Sequence, residues 1–326
     1  MSKSLKLFPS ISLLVILFVF FVCPVGLFPQ DKASDIDKLV TKTYENREFN
    51  GSILVAEKGE IIYKKSFGYA NREWKIPNTP DTKFRIASVT KQFTSMLIMQ
   101  LVEEGKIELQ GKISQYLPKY RKDNGNKVTI QHLLTHTSGI PAFTSLPGFK
   151  SDSIRLSYSK EYMVYHFLSP DLEFEPGSRR SYSNGYSLLA AIIEQVTGKS
   201  YRENLQERIF TPLKMWSSGA DRNEEIIENR ATGYIKDSTG YKNTPYIYMR
   251  IACGDGDMYS TVEDLYLWDQ ALYTEKLLSE ESKEIMFAPD NMYGWNALKV
   301  GLRESSDSVF AYWKSGSLFG FNSIII

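Results

Sequence analysis

Two residues with complementary chemistry stand three positions apart in Ser88-Val89-Thr90-Lys91. Positions i and i+3 share one face of a helix, so the Lys91 amine can reach the Ser88 hydroxyl. A helix N-terminus also favours the negative charge that develops on an attacking oxygen. The alternative is a capping serine followed by a surface lysine. A lysine is unusual in the first turn of an otherwise apolar helix unless it has a specific role. The pair therefore predicts a nucleophilic serine with an amine partner.

Two further polar segments follow along the chain. Tyr182-Ser183-Asn184 comes after the turn-forming Glu175-Pro176-Gly177 and carries a phenol and an amide on one short loop. Taken alone, this segment is better explained as a helix cap formed by Ser183 or Asn184. Lys314-Ser315-Gly316-Ser317 lies on a late strand, and its alternative is a solvated edge lysine with a turn. Each segment by itself is therefore weak evidence for a site.

Together and in this order, the three segments resemble the Ser-x-x-Lys, Tyr-x-Asn and Lys-[Ser/Thr]-Gly motifs of serine β-lactamases and penicillin-binding proteins. The resemblance extends to residues 129–141, 182–198 and 254–265, and it covers roughly residues 35–326. It is closest to the branch that contains class C β-lactamases and D-alanyl-D-alanine carboxypeptidases.

The resemblance implies three catalytic residues. Ser88 attacks a carbonyl group and forms an acyl-enzyme. Lys91 takes the hydroxyl proton, which requires a neutral amine, and burial together with the nearby Lys314 is expected to lower the pKa of Lys91. Tyr182 relays a proton to the leaving group and helps to activate the water that deacylates the enzyme.

The resemblance also implies a set of substrate-binding residues: Asn184, Lys314, Ser315, Gly316 and Ser317. Asn184 hydrogen-bonds a substrate amide, and Lys314 with Ser315 binds a substrate carboxylate. The backbone N–H groups of Ser88 and Ser317 form the oxyanion hole. Many esterase-like relatives carry histidine in place of Lys314, so the lysine favours a carboxylate-bearing substrate.

Other chemistries have weaker support in the sequence. His132 and His136 stand at i and i+4, but the metalloprotease glutamate and a third ligand are missing. No G-x-S-x-G elbow and no class A deacylating glutamate is evident. Asp255 and Asp257 are flanked by glycines and predict a turn, because the rest of a calcium loop is absent. We therefore expect no metal and no cofactor.

The elements that must position these residues predict a mixed fold. Strand patterns cover residues 51–55, 61–69, 309–313 and 320–326, and helical patterns cover residues 31–48, 88–104, 129–135, 183–197 and 261–273. Strands at both ends and helices between them indicate one antiparallel sheet assembled from the two termini. The predicted class is α/β (α+β): an antiparallel sheet flanked by helices, a mostly helical lobe, and the active site between them.

The first 30 residues predict a targeting segment ahead of a hydrolase domain over 31–326. Lys3 and Lys6 precede an apolar run over residues 11–22, typical of a secretory signal or an N-terminal membrane anchor. Cys23 leaves lipidation open, although the preceding residues are bulky. Each alternative predicts an exported domain, periplasmic or extracellular, with membrane association through this segment. The other cysteine, Cys253, is predicted to be a small buried residue.

The composition and the net charge limit the kinds of binding partner that we expect. The chain has 326 residues, and 39 Lys and Arg balance 38 Asp and Glu, so no basic excess points to nucleic acid. We expect a small-molecule or peptidoglycan-peptide substrate. The resemblance also implies one more strand and a final helix beyond residue 326, so a C-terminally incomplete domain is expected.

The predicted function is a serine hydrolase that acts on amide or ester bonds through an acyl-serine intermediate, of β-lactamase or D-alanyl-D-alanine carboxypeptidase type. The motifs do not choose among D-alanyl-D-alanine peptides, β-lactams and small esters. The alternatives are a small-ester esterase of the same fold and a non-catalytic, penicillin-binding-like protein. The intact set of three motifs disfavours the non-catalytic alternative.

Overall fold

The computed structural model describes residues 32–146, 151–301 and 308–326. The α-helices in these ranges are α1 (Lys32–Glu45), α2 (Thr90–Glu103), α3 (Ile113–Tyr116), α4 (Lys122–Gly125), α5 (Ile130–Leu134), α6 (Lys160–Tyr162), α7 (Gly185–Thr197), α8 (Tyr201–Leu205), α9 (Thr211–Leu213), α10 (Val262–Leu272) and α11 (Glu280–Phe287). Short 3-10 helices form at Ala87–Val89, Phe143–Ser145, Ser151–Arg155 and Met249–Ala252, and π-helices at Met163–Phe167 and Gln206–Phe210.

The strands in the described ranges are β1 (Gly51–Glu57), β2 (Glu60–Phe67), β3 (Tyr69–Asn71), β4 (Ile76–Pro77), β5 (Phe84–Arg85), β6 (Gly219–Ala220), β7 (Tyr234–Asp237), β8 (Gly240–Asn243), β9 (Met258–Ser260), β10 (Asn296–Gly301), β11 (Ser308–Leu318) and β12 (Phe321–Ile325). The predicted strand over 61–69 is divided, because Gly68 turns the chain at φ +73° between β2 and β3. A Cβ atom on Gly68 would lie 2.1 Å from Asn50 Oδ1, so a larger residue does not fit this turn.

All strand pairs of the described sheets are antiparallel, and helices pack around them, so the predicted fold class is confirmed. The expectation of one sheet built from both termini is wrong in the described part of the chain. There β1 pairs with β2, while β10, β11 and β12 form a separate sheet. Helices α1 and α10 pack against the N-terminal hairpin, and no backbone ladder connects that hairpin to β12 in these ranges.

The core surrounds two helices that are buried on nearly every side. In α2, the side chains from Thr90 to Met99 are all buried, and α7 is buried from Gly185 to Ile193. Apolar residues on all faces predict such a central helix. Phe93 of α2 stacks on Trp268 of α10, with ring centroids 4.2 Å apart. Because close packing fixes both helices, the N-terminus of α2 and the loop before α7 form a rigid base for the site.

Among the described residues, no helix is both long enough and apolar enough to cross a lipid bilayer. The predicted targeting segment, residues 1–30, lies outside the described residues.

Candidate active site

Ser88 lies in a tight turn that leads into α2. The 3-10 helix Ala87–Val89 precedes the first residue of α2, so the regular helix starts two residues later than predicted. Ala87 is buried and has φ +47°, a left-handed conformation that costs free energy for a residue with a side chain. The backbone of Gly256 lies against Ala87. Strain of this kind, held by packing, fixes the direction of the Ser88 side chain.

Lys91 is fully buried one turn beyond Ser88. Its Nζ donates to Ser88 Oγ at 3.2 Å and to the Asp255 carbonyl at 2.7 Å, and it pairs with Asp255 Oδ1 at 2.9 Å. Burial alone lowers the pKa of Lys91, but the charges and hydrogen bonds of Asp255 and Tyr182 outweigh burial and raise the pKa above its ordinary value. The expected neutral Lys91 is therefore wrong for the free enzyme, because the ion pair with Asp255 keeps the amine charged.

Asp255 is the site residue that the sequence analysis missed. It was assigned to a turn, yet its carboxylate bridges two predicted site residues: Oδ1 pairs with Lys91, and Oδ2 accepts from Asn184 Nδ2 at 3.1 Å. The available signal was the segment 254–265, which was noted for its resemblance but given no role. The ion pair connects residues 164 positions apart, so no local spacing rule predicts it.

Tyr182 and Asn184 lie where the loop enters α7. Tyr182 Oη donates to Ser88 Oγ at 2.7 Å, and the side chain is 54% exposed. Asn184 is held from both ends, because its amide donates to Asp255 and its Oδ1 accepts from the Phe143 N–H at 3.2 Å. The structure thus brings Ser88, Lys91, Tyr182 and Asn184 together as predicted, with Tyr182 open to an incoming substrate.

His136 forms the wall behind Tyr182. Its backbone is left-handed at φ +59°, and its ring lies between Tyr182 and Tyr186, with centroid distances of 4.5 and 5.2 Å. Its Nδ1 accepts from the Ser183 N–H at 3.4 Å. Burial and the nearby positive charges hold the pKa of His136 well below its usual value. A neutral ring in this position packs against Tyr182 and orients it.

Lys314 enters the site from β11 and is only 4% exposed. Its Nζ lies 5.3 Å from the centre of the Tyr182 ring. No carboxylate among the described residues lies within ion-pair distance of this amine. Burial lowers the pKa of Lys314 to about 8, and the positive charges of Lys91 and Arg180 act in the same direction. A buried cation without a carboxylate partner is suited to bind an anionic group of a ligand.

The rest of the β11 segment lies against the turn that carries the nucleophile. A Cβ atom on Gly316 would lie 2.1 Å from the Ile86 carbonyl oxygen and 2.9 Å from the Ser88 backbone nitrogen, so glycine is required for this close approach. Ser315 and Ser317 alternate with Gly316 along the strand and are exposed. In the described part of the protein, their hydroxyl groups form no hydrogen bond with Ser88, Lys91 or Tyr182.

The two histidines considered as metal ligands have separate partners. His132 Nδ1 accepts from the Thr129 N–H at 3.3 Å, whereas His136 accepts from Ser183. Within residues 32–146, 151–301 and 308–326, no group of three or more His, Cys, Asp or Glu side chains is arranged to hold a metal ion. The absence of a metal or cofactor requirement stays a prediction.

The fold and the site together define the class of the protein as a serine hydrolase of the β-lactamase and transpeptidase fold. The chain belongs to the Beta-lactamase family, whose sequence model matches residues 36–325. This membership confirms the resemblance drawn from the three motifs.

Individual relatives agree with this assignment. A penicillin-binding protein of Bacillus subtilis (strain 168) is 33% identical over 91% of this chain, which spans 69% of that relative. The teichoic acid D-alanine hydrolase of Staphylococcus aureus (strain MRSA252) is 30% identical over 77% of this chain, which spans 59% of that relative. The octameric penicillin-binding protein homologue from Pyrococcus abyssi superposes with a TM-score of 0.77 at 30% identity, covering 89% of this chain and 69% of that structure.

Proposed function

We propose that this protein hydrolyses peptides that end in D-alanine, through an acyl-enzyme on Ser88. The observation that carries the proposal is Lys314, a buried cation beside the Tyr182 ring without a carboxylate partner in the described residues. A substrate with a free C-terminal carboxylate supplies that missing anion. The similarity to the teichoic acid D-alanine hydrolase of Staphylococcus aureus supports the D-alanyl part of the proposal.

The proposed acylation step uses the two donors around Ser88 Oγ. The Oγ atom bonds to the carbonyl carbon, and the C–N bond breaks. Tyr182, whose Oη lies 2.7 Å from Oγ, gives its proton to the leaving nitrogen and takes the Ser88 proton. Lys91 stays charged and stabilises the negative charge that builds up on Oγ. In deacylation a water attacks the ester, the bond between the acyl carbon and Oγ breaks, and Ser88 regains its proton.

The remaining predicted residues hold the substrate in this proposal. The backbone N–H groups of Ser88 and Ser317 bind the oxyanion, which the close approach of Gly316 to the Ser88 nitrogen supports. Asn184 keeps a second amide N–H for a substrate carbonyl, since one N–H is used by Asp255. The Ser315 hydroxyl shares the carboxylate with Lys314.

The first test compares one peptide with and without its terminal charge. An N-acylated D-alanyl-D-alanine and its C-terminal methyl amide share the scissile amide and differ in the carboxylate. In Lys314→Ala, we expect kcat/KM for the acid to fall on the order of 10²-fold, because a charge-assisted hydrogen bond is lost. The loss for the methyl amide should stay below about tenfold. Equal losses on both substrates would mean that Lys314 acts on Lys91 or Tyr182 instead of the substrate.

The second test uses pH. Because Lys314 has a pKa of about 8, it is charged below this pH and becomes neutral above it. We expect kcat/KM for the acid to fall about tenfold per pH unit above pH 8, since this parameter reports the free enzyme. The pH profile of kcat/KM for the methyl amide should not show this fall above pH 8. A shared alkaline limb on both substrates would contradict this assignment.

We also propose that the hydrolase domain, residues 31–326, acts outside the cytoplasmic membrane. The support is the sequence of residues 1–30, with two lysines ahead of an apolar run. In cells that express the full chain, we expect acyl-enzyme formation in the exported or membrane-associated fraction. Recovery of the active protein solely from the cytoplasm would contradict the export proposal.

A further inference from the structure

A second cavity, here called the α7 cavity, lies along one face of α7 and is separate from the active site. Its volume is about 380 Å³, within the range of small-molecule sites. The cavity is bounded by α7, by the segment from Tyr158 to Leu168, and by the chain from Arg250 to Cys253. Neither Ser88 nor any other residue of the proposed catalytic set lines it.

One part of the α7 cavity is apolar. The side chains that form this part are Met163, Val164, Leu168, Ala190, Ala191 and Ile251. All six are buried in the fold, and together they offer a surface for an aliphatic or aromatic body. Two small residues, Ala190 and Ala191, leave the space open where larger side chains on α7 would close it.

The remaining wall carries an excess of positive charge. Its cations are Lys160, Arg202, Arg222 and Arg250, and its one anion is Glu194. Each cation also pairs with a carboxylate of the fold: Lys160 with Glu194, Arg202 with Glu225, Arg222 with Asp257, and Arg250 with Glu224. The carboxylates of Asp257, Glu224 and Glu225 are not part of the wall. A ligand in the cavity therefore faces more cations than anions.

Arg222 has unused hydrogen-bonding capacity in this wall. Its side chain is 13% exposed, and its NH1 donates to Asp257 at 3.2 Å and to the Asp221 carbonyl at 2.9 Å. A guanidinium has five N–H donors. Among the described residues, no acceptor contacts the other three, so they are available to an anionic oxygen.

A second polar group in the cavity lacks a partner independently of Arg222. Ser187 lines the cavity from α7 and is 8% exposed, and its Oγ has no hydrogen-bond partner among the residues that the structure describes. Buried hydroxyl groups are normally paired, so an unpaired one needs an explanation. An oxygen of a bound ligand satisfies it.

From these features we infer that the α7 cavity binds a small carboxylate that carries an apolar body. The carboxylate contacts Arg222 and Ser187, and the body lies on the apolar side chains beside Ala191. Fatty acids and N-acylated amino acids share this chemistry. The inference does not depend on the proposed function, because none of the proposed catalytic residues takes part.

Cys253 offers a direct measure of occupancy, since it lines the cavity. Burial raises the pKa of this thiol well above its ordinary value, so alkylation is slow and easily timed. The other cysteine of the chain, Cys23, is distinguished by mass spectrometry of the digested peptides. The rate of iodoacetamide addition to Cys253 in the full chain then reports whether the cavity is filled.

The experiment compares octanoate, N-acetyl-D-leucine and the neutral octan-1-ol at equal concentrations. We expect one or both acids to slow Cys253 alkylation at least fivefold at saturation, with octan-1-ol at least tenfold weaker. The acid that binds more tightly shows whether the ligand is of the fatty-acid class or of the N-acylated amino-acid class. Ala191→Phe should abolish protection by filling the cavity, Ser187→Ala should weaken it several-fold, and Gln195→Phe, on the exposed face of α7, should leave it unchanged.

Measurements on the native protein alone can overturn the inference. Equal protection by octan-1-ol, or no protection by either acid, rules out a carboxylate site. Protection that persists in a cooperatively melting Ala191→Phe variant places the ligand elsewhere and also overturns it. Because Ser187→Ala removes a single unpaired hydroxyl and is expected to fold, it supplies a separate test if the larger substitution does not.

Discussion

Replacement of Ser88 by alanine is expected to abolish covalent labelling by a fluorophosphonate and to lower turnover by about 10⁴- to 10⁶-fold. Ser88 Oγ is the point at which the donors of Lys91 and Tyr182 converge, at 3.2 and 2.7 Å. Without that oxygen, the site keeps its charges but has no atom that can form the acyl bond. Intact mass and peptide mapping after incubation with the probe give the measurement.

Ser95→Ala is the matched control for this experiment. Ser95 lies on α2, which follows the turn that carries Ser88; it is fully buried and shares a hydrogen bond with Tyr186 at 3.2 Å. Its removal tests whether the loss of any buried hydroxyl from α2 disturbs the site. We expect labelling of Ser88 within a few-fold of the native rate. Labelling that persists in Ser88→Ala would reject Ser88 as the nucleophile and with it the proposed mechanism.

The sequence predicted the parts of the site that depend on local spacing. Ser88 and Lys91 meet because one helical turn separates them, and Tyr182 meets them because its segment precedes a buried helix. Lys314 and Gly316 lie on β11, which includes the predicted strand over 309–313 and continues past it. These placements required only periodicity, helix ends and the order of three short motifs.

The electrostatics of the site could not be predicted in the same way. The state of Lys91 depends on Asp255, which reaches it across the fold, and local patterns contain no information about that distance. The sequence analysis considered burial and Lys314 only, and both lower the pKa of a lysine. The omission of one counter-ion reversed the predicted charge of Lys91.

The pairing of the strands was predicted wrongly for a related reason. Alternation of residues identifies strands, but the partner of each strand is decided by turns and packing far from it. Gly68 ends β2 after Phe67, and the N-terminal hairpin is covered by α1 and α10. The sequence patterns therefore located these strands along the chain but could not predict which strands pair with each other.

The second large effect is expected at Asp255. In Asp255→Asn, the carboxylate that holds Lys91 charged is lost, while an amide of nearly the same shape remains. Burial then outweighs the remaining contribution of Tyr182 and lowers the pKa of Lys91, so the amine loses its proton more readily than in the native protein. If charged Lys91 stabilises the developing charge on Ser88 Oγ, the acylation rate should fall on the order of 10²-fold.

The sign of the pH dependence separates this electrostatic role from simple damage to the fold. Lower pH restores the proton on Lys91, so acylation of Asp255→Asn should recover as the pH falls, whereas the native enzyme keeps Lys91 charged and should show no such gain. Asp264→Asn is the matched control, since this buried carboxylate accepts from Ser217 and Ser218 and does not contact Lys91. Acylation at the native rate in Asp255→Asn would mean that Lys91 does not act as a cation, whereas a loss that acid does not relieve would reject the electrostatic role assigned to Asp255.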